Sequence, residues 1–322
     1  MKLIITIDTE GDNWSEYKET KFSLENIEKI LPLQDLFDNF DAKPTYLITY
    51  PVATNDRAIS ILTKILKEGR CEIGSHCHPW STPPFDEEKT VQNSMLCNLP
   101  CELQYRKLSS LHNAIIKNFE ITPVSFRAGR WGYNKNVALN LCRLGYKIDT
   151  SITPYVDWKY CYGPDFSDTS PKAFRSYYEN NFTGSDNNSL IEIPVTIGFL
   201  QQDFTFCNYI LKTIKRTFLV KLKTGGILSK LHIVNKIWLT PEAYDSKDMI
   251  KLTKVMMKRG CDFINMTFHS PSLKAGLTPF VRTTEDEKKF FRRIKEFLTF
   301  TRDNGIESIR LSDILKPGII DV

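Results

Sequence analysis

The sequence predicts an α/β protein built as a barrel of parallel strands, and three observations carry that prediction. Short β-branched runs alternate with longer amphipathic stretches along most of the chain, as strands do when crossover helices join them. Seven or eight such units share the 322 residues, the size of a (β/α) barrel. The first strand is followed by acidic residues instead of a glycine-rich phosphate turn, which argues against the competing doubly wound sheet.

The first strand, Lys2–Asp8, is an apolar run that stops at Asp8 and meets Glu10 and Asp12 at once, too short for the core of a signal peptide. Ser23 is placed to cap the helix that follows, where Ile27, Ile30, Leu31 and Leu33 recur at helical spacing. Further strands are expected at Pro44–Tyr50, Cys71–His76, Val124–Arg127, Lys147–Ser151, Leu190–Ile197, Phe263–His269 and Ser308–Leu311. Helices are expected over Ile59–Leu66, Glu102–Asn118, Asn136–Leu144, Ser246–Lys258 and Thr284–Asp303, the last stopped by Asn304-Gly305. One interruption breaks the rhythm, an insertion at about 200–242, so residues 1–322 read as one barrel domain carrying it.

Composition narrows the function. Hydrophobic residues make up 41% of the chain, enough to bury a full core, yet no stretch reaches the ~18 uncharged apolar residues of a membrane span. The eight cysteines are scattered without a CxxC pair and read as reduced thiols, so the expected location is the cytoplasm. Net charge is +5, but seven Lys and Arg residues and no acid lie between Phe204 and Pro241. The remainder is slightly acidic, and a nucleic-acid partner is not expected. Within 204–241, Ile210, Leu211, Ile214, Phe218, Leu219 and Leu222 interleave with Lys212, Lys215, Arg216, Lys221 and Lys223. That is the composition of an interfacial helix at the inner face of an anionic membrane, and equally of a helix packed on the barrel with its basic side in water.

Chemistry-bearing residues gather at strand ends. Asp8 and Glu10 are two apart, which on a strand puts both carboxylates on one face, one free to bind a cation and the other to take a proton; Glu10-Gly11-Asp12-Asn13 also reads as a turn. His76 and His78 share a face at i and i+2 and can converge on one divalent metal, zinc being the ion that favours imidazole with carboxylate, while Cys77 points away. Arg127 ends a strand in Phe126-Arg127-Ala128-Gly129-Arg130-Trp131-Gly132, whose glycines allow an exposed N–H to face an oxyanion. Asp149 and His269 end two more strands. In a parallel barrel such ends meet at one mouth, where sites are built. Trp14, Trp80, Trp131 and Trp158 adjoin these motifs, suited to stacking on sugar rings or to barrel packing.

In this order, the acidic strand end, the His motif, the Arg turn, the Asp149-Thr150-Ser151 strand and Phe268-His269-Ser270 resemble the polysaccharide deacetylase family, carbohydrate esterase family 4, with its NodB-type homology domain. The resemblance covers about 1–160 and 260–315. It implies a distorted (β/α)7-type barrel with parallel strands, a divalent metal (commonly Zn2+), and a hydrolase that removes acetyl groups from amino sugars of a polysaccharide, oligosaccharide or glycolipid precursor. By that resemblance Asp8 is the general base, Glu10, His76 and His78 the metal ligands, and Arg127 the holder of Asp8. Asp149 tunes His269 as general acid, the Arg130 N–H stabilises the oxyanion, and Trp80 and Trp131 meet the sugar. Thr9 separates carboxylates that are usually adjacent aspartates in the family. Trp80 stands where the second histidine is usual, so His78 substitutes for it in a His-x-His-Pro-Trp variant. The partner is then an acetylated amino sugar, with a lipid-linked form as a candidate. An amidohydrolase of small non-sugar amides and a non-enzymatic sugar-binding protein are the alternatives.

Overall fold

Alternating side chains along the first strand set up two layers. The computed structural model describes residues 1–12, 14, 17, 22–178, 189–216 and 234–319. In β1 (Lys2–Thr9), Leu3, Ile5 and Ile7 face the helices, where they join residues such as Leu62, Leu111, Leu252 and Phe297. Ile4 points the other way and meets Leu47, Ile148, Ile191 and Ile309. Thr6 and Asp8 share its face, two and four residues further on.

The strands that follow are β2 (Thr45–Ile48), β3 (Glu72–Cys77), β4 (Ser125–Ala128), β5 (Ile148–Asp149), β6 (Phe174–Tyr177), β7 (Ser189–Glu192), β8 (Ile197–Phe199), β9 (Lys236–Trp238), β10 (Phe263–His269) and β11 (Glu307–Ile309). Among the described residues, nine of them form a curled sheet in the order β10-β1-β2-β3-β4-β5-β7-β6, with β11 also on β1. Every pairing is parallel except that of β6 with β7. This is a mixed α/β half-barrel with helices outside, including Asp56–Lys67, Cys101–Phe119, Lys135–Arg143, Ser246–Lys258 and Thr284–Asp303.

Single contacts, not a ladder, carry the chain across from β7 to β10. The expected strand Leu190–Ile197 divides here into β7 and β8 around Pro194, which has no N–H for a ladder. The Thr196 N–H donates to the Asn265 carbonyl at 3.1 Å, Leu239 donates to the Thr196 carbonyl at 2.9 Å, and Thr267 donates to the Leu239 carbonyl at 3.1 Å. The insertion leaves and returns through the antiparallel β8–β9 ribbon beside these contacts, which delivers the residues after β9 to the end of β10.

Two local expectations are corrected. Ser23 does not cap the first helix: Leu24 stands at the N-cap, and the Asp12 carboxylate accepts the Glu25 and Asn26 N–H groups at 2.6 and 3.1 Å. The loop folds back so that the Asp12 N–H meets the Ser23 carbonyl, and a carboxylate from the far side of the loop does the capping. In the insertion, helix Phe204–Arg216 packs Ile210 and Leu211 against the core while Phe206 and Tyr209 stay exposed. Phe218, Leu219, Lys221, Leu222 and Lys223 lie outside the described residues. No described helix is long and apolar enough to cross a membrane.

Candidate active site

Register brings the strand-end residues together in pairs. Asp8 lies beside His269 across β1–β10, and His76 beside Arg127 across β3–β4. Below Asp8, the buried Arg127 guanidinium uses all five of its donors. Its Nη1 donates to Asp8 Oδ1 at 2.5 Å and to Thr267 Oγ1 at 2.8 Å, its Nη2 to Thr6 Oγ1 and Thr150 Oγ1, and its Nε to the Thr150 carbonyl. Burial alone would raise the Asp8 pKa, but the facing Arg127 charge, with His76 and His269, holds it below the ordinary value. Asp8 is therefore a buried carboxylate kept ionised.

Glu10, His76 and His78 place one ligand atom each within 4.8 Å of one another. His78 Nε2 is 2.7 Å from Glu10 Oε2, and His76 Nε2 is 3.6 Å from it. The His76 Nδ1 sits 3.1 Å from the Arg127 carbonyl, an acceptor only, so Nδ1 carries a proton and Nε2 faces Glu10. Two imidazole nitrogens and a carboxylate converge on one point, a donor set that fits a cation once both facing nitrogens are deprotonated. Burial and the charge of His76 lower the His78 pKa, favouring the neutral ring a metal needs. Burial works against ionised Glu10, yet hydrogen bonds from His76 and His78 bring its pKa down.

Neighbouring segments fix these ligands. A Cβ at Gly129 would stand 2.2 Å from His78 Nδ1, so the turn after β4 closes on the imidazole only because that residue is glycine. The loop after His78 is anchored by buried Lys107, whose Nζ donates to the carbonyls of Pro79, Thr82 and Pro84 and pairs with Glu87 at 2.9 Å. Cys77 points away as expected and is buried against Thr82.

His269 has a different partner from the expected one. Its Nδ1–H donates to the Glu242 carboxylate at 3.1 Å, and its backbone N–H also donates there. The Ser272 hydroxyl donates to the same carboxylate at 2.6 Å. Nε2 faces Asp8 Oδ2 at 3.7 Å. Burial would lower the His269 pKa, but Glu242, Glu10 and Asp8 push it up to about 10. Asp149 instead accepts the Ser151 N–H and hydroxyl and lies against Glu192, where burial raises the pKa of both carboxyl groups. The sequence does not reveal Glu242 as a site residue because it falls within the insertion at about 200–242. The available signal was its position: it is the first acid after the acid-free stretch, four residues past a short β-branched run that forms β9. Asp12, committed to capping, is not among the three clustered ligands.

These groups open into a cleft of ≈ 450 Å³, walled by aromatic rings that include Trp14, Tyr17, Trp80, Trp131, Trp158 and Tyr160. The Trp80 ring lies 4.1 Å from that of His78, and Trp14 stands edge-on to His269 at 4.8 Å. Arg130 and Trp131 both adopt left-handed backbone, φ 53° and 62°, unfavourable for residues with a side chain. Trp131 lies over the Arg127 guanidinium at 5.2 Å, and Arg130 lines the cleft.

No family model matches the chain, and no curated protein matches it in sequence. Solved structures do match in fold. A candidate polysaccharide deacetylase from Mycobacterium smegmatis is 14% identical with a TM-score of 0.56, the match covering 97% of this chain and 89% of that one. A 4-alpha-glucanotransferase from Thermococcus litoralis is 12% identical with a TM-score of 0.54, covering 98% of this chain and 40% of that one. The likeness is one of fold. The two names differ in chemistry, so activity has to be argued from the residues in the cleft.

Proposed function

We propose that this chain is a metal-dependent N-deacetylase acting on acetylated amino sugars of a polysaccharide, oligosaccharide or glycolipid precursor. The observation that carries the reading is the two-sided arrangement around Asp8: Arg127 on one side, the His269–Glu242 pair on the other, and Glu10, His76 and His78 beside them. The name of the Mycobacterium smegmatis structure supports it. So does the order of motifs in the sequence, with His76 and His78 as a His-x-His-Pro-Trp variant of the family's ligand pair.

Glu10, His76 and His78 would hold the ion, with Zn2+ the first candidate for an imidazole and carboxylate set. When bound, such an ion supplies Lewis acidity at the acetyl carbonyl and a water of pKa roughly 7. Asp8, kept ionised by Arg127, takes the proton of the attacking water. The Arg130 N–H is the donor assigned to the oxyanion, a role worth about 3–4 kcal/mol where such donors have been removed. Protonated His269 donates to the leaving amine nitrogen, and Glu242 fixes its ring and charge. Trp80 and Trp131 are assigned to the sugar face. Asp149 keeps a supporting role through Ser151, whose hydroxyl accepts the Ala128 N–H and so steadies the end of β4.

Acetate release settles the reading. The metal-loaded protein, given N-acetylated oligosaccharides, O-acetylated sugars and small non-sugar amides, should release acetate from the first group most rapidly. Turnover only of the small amides would make it an amidohydrolase of another kind. No turnover alongside tight sugar binding would make it a binding protein.

A further inference from the structure

We infer that the Arg130 side chain reads an oxyanion, a carboxylate or a phosphate, on the substrate, so that the deacetylase proposed above acts on an acidic acetylated glycan. The inference rests on that reading for the reaction and on separate observations for the anion.

Arg130 is the one Lys or Arg among the described residues that line the cleft. Of its five guanidinium donors, only one has a protein acceptor among the described residues: Nη1 donates to Ser94 Oγ at 2.9 Å. No described carboxylate lies within ion-pair distance of it. The acceptor is itself fixed. Ser94 is buried and gives its own hydroxyl proton to the Val91 carbonyl at 2.5 Å, which leaves its oxygen to receive Arg130. The guanidinium is thus oriented before any ligand arrives, which lowers the entropic cost of binding one.

Backbone geometry points the same way. Two consecutive left-handed residues send Trp131 inward over Arg127 and leave Arg130 on the wall beside Trp158 and Tyr160. A sugar ring stacked on those aromatics would bring a ring carboxylate or phosphate to the remaining Arg130 donors, whose planar fork matches either group.

The test compares wild type with Arg130→Gln and Arg130→Lys on three N-acetylated substrates: one bearing a uronate, one bearing a phosphate monoester and one neutral. All three proteins keep a side chain at the left-handed position, so the backbone demand is constant. Wild type should prefer one of the acidic substrates in kcat/KM, mostly through KM. Arg130→Gln should reduce that preference about 10- to 100-fold, and Arg130→Lys should restore part of it. The substrate that loses its advantage identifies the oxyanion. A preference unchanged in Arg130→Gln, or absent in wild type, overturns the inference while leaving the deacetylase reading intact. Quenching of tryptophan fluorescence by glucuronate, glucose 6-phosphate and glucose on the metal-loaded proteins gives a second readout. If no substrate yields acetate but one anion binds wild type and not Arg130→Gln, the deacetylase reading fails and the assignment of Arg130 stands.

Discussion

Arg127 and Arg130 stand three residues apart where β4 ends, one inside the barrel and one on the wall of the cleft above it. Arg127 has all five donors engaged by Asp8, Thr6, Thr150 and Thr267, and a tryptophan covers it. Among the described residues, Arg130 has one donor engaged, by a serine that holds it in place. The same side chain thus serves as framework in one place and as a poised, unfilled contact in the other. A buried charge must be fully satisfied to be tolerated, whereas a charge at a binding wall is useful to the extent that it is not.

The comparison breaks most severely at Arg127. Arg127→Met leaves Asp8 buried with an uncompensated charge, and we expect a loss of about 3–5 kcal/mol in urea unfolding together with loss of turnover. Arg130→Gln should cost less than about 1 kcal/mol in the same experiment. Equal destabilisation by the two changes would mean that Arg130 is framework as well.

Next come the two carboxylates of the first strand. Asp8→Asn should keep its metal and lose turnover by roughly 10²–10⁴. Glu10→Gln should lose metal affinity first and regain activity in excess zinc. An emptied site in Asp8→Asn with a filled one in Glu10→Gln would reverse their roles.

The acid side of the cleft is expected to respond in two grades. His269→Ala should lower turnover roughly 10²–10⁴ with metal content unchanged. Glu242→Gln should do less, and its effect should show in the pH profile. Against burial, the carboxylates around His269, chiefly Glu242, push its pKa up to about 10. Removing that charge lowers the His269 pKa, so activity that requires the protonated ring should fall off at lower pH on the alkaline side. A shifted alkaline limb in Asp149→Asn, with none in Glu242→Gln, would return the role to Asp149. The smallest effect is expected at the insertion, whose helix packs Ile210 and Leu211 on the core and leaves Phe206 and Tyr209 exposed. An interfacial helix there would make sedimentation with anionic vesicles exceed that with neutral ones and fall with salt, whereas a helix packed on the barrel gives equal pelleting with both.

How much was legible in the sequence follows the same inside–outside division. Strands buried along nearly their whole length declare themselves as apolar runs: the sequence places Phe263–His269 to the residue, and the first strand to within one. The strand-end residues Asp8, His76, Arg127 and His269 were legible because a parallel sheet aligns strand ends in register. What could not be read depends on the chain crossing back on itself. Pro194 split one expected strand in two, the edge strand Phe174–Tyr177 is only half buried, and Glu242 reaches His269 through a ribbon whose other half lies some forty residues earlier. The Asp12 cap was hidden for the same reason, since its partners lie thirteen and fourteen residues away across a loop.

The central claim is that a cation held by Glu10, His76 and His78 serves a reaction in which Asp8 and His269 move the protons. Its most direct test follows bound metal and acetate release on one sample as metal is stripped by a chelator and returned by titration. The account predicts about one ion per chain, acetate release from an N-acetylated oligosaccharide that falls and recovers in proportion to it, and no recovery in Asp8→Asn although that variant refills. Acetate release that persists in the stripped protein, or a fully loaded wild type that releases none, would contradict it.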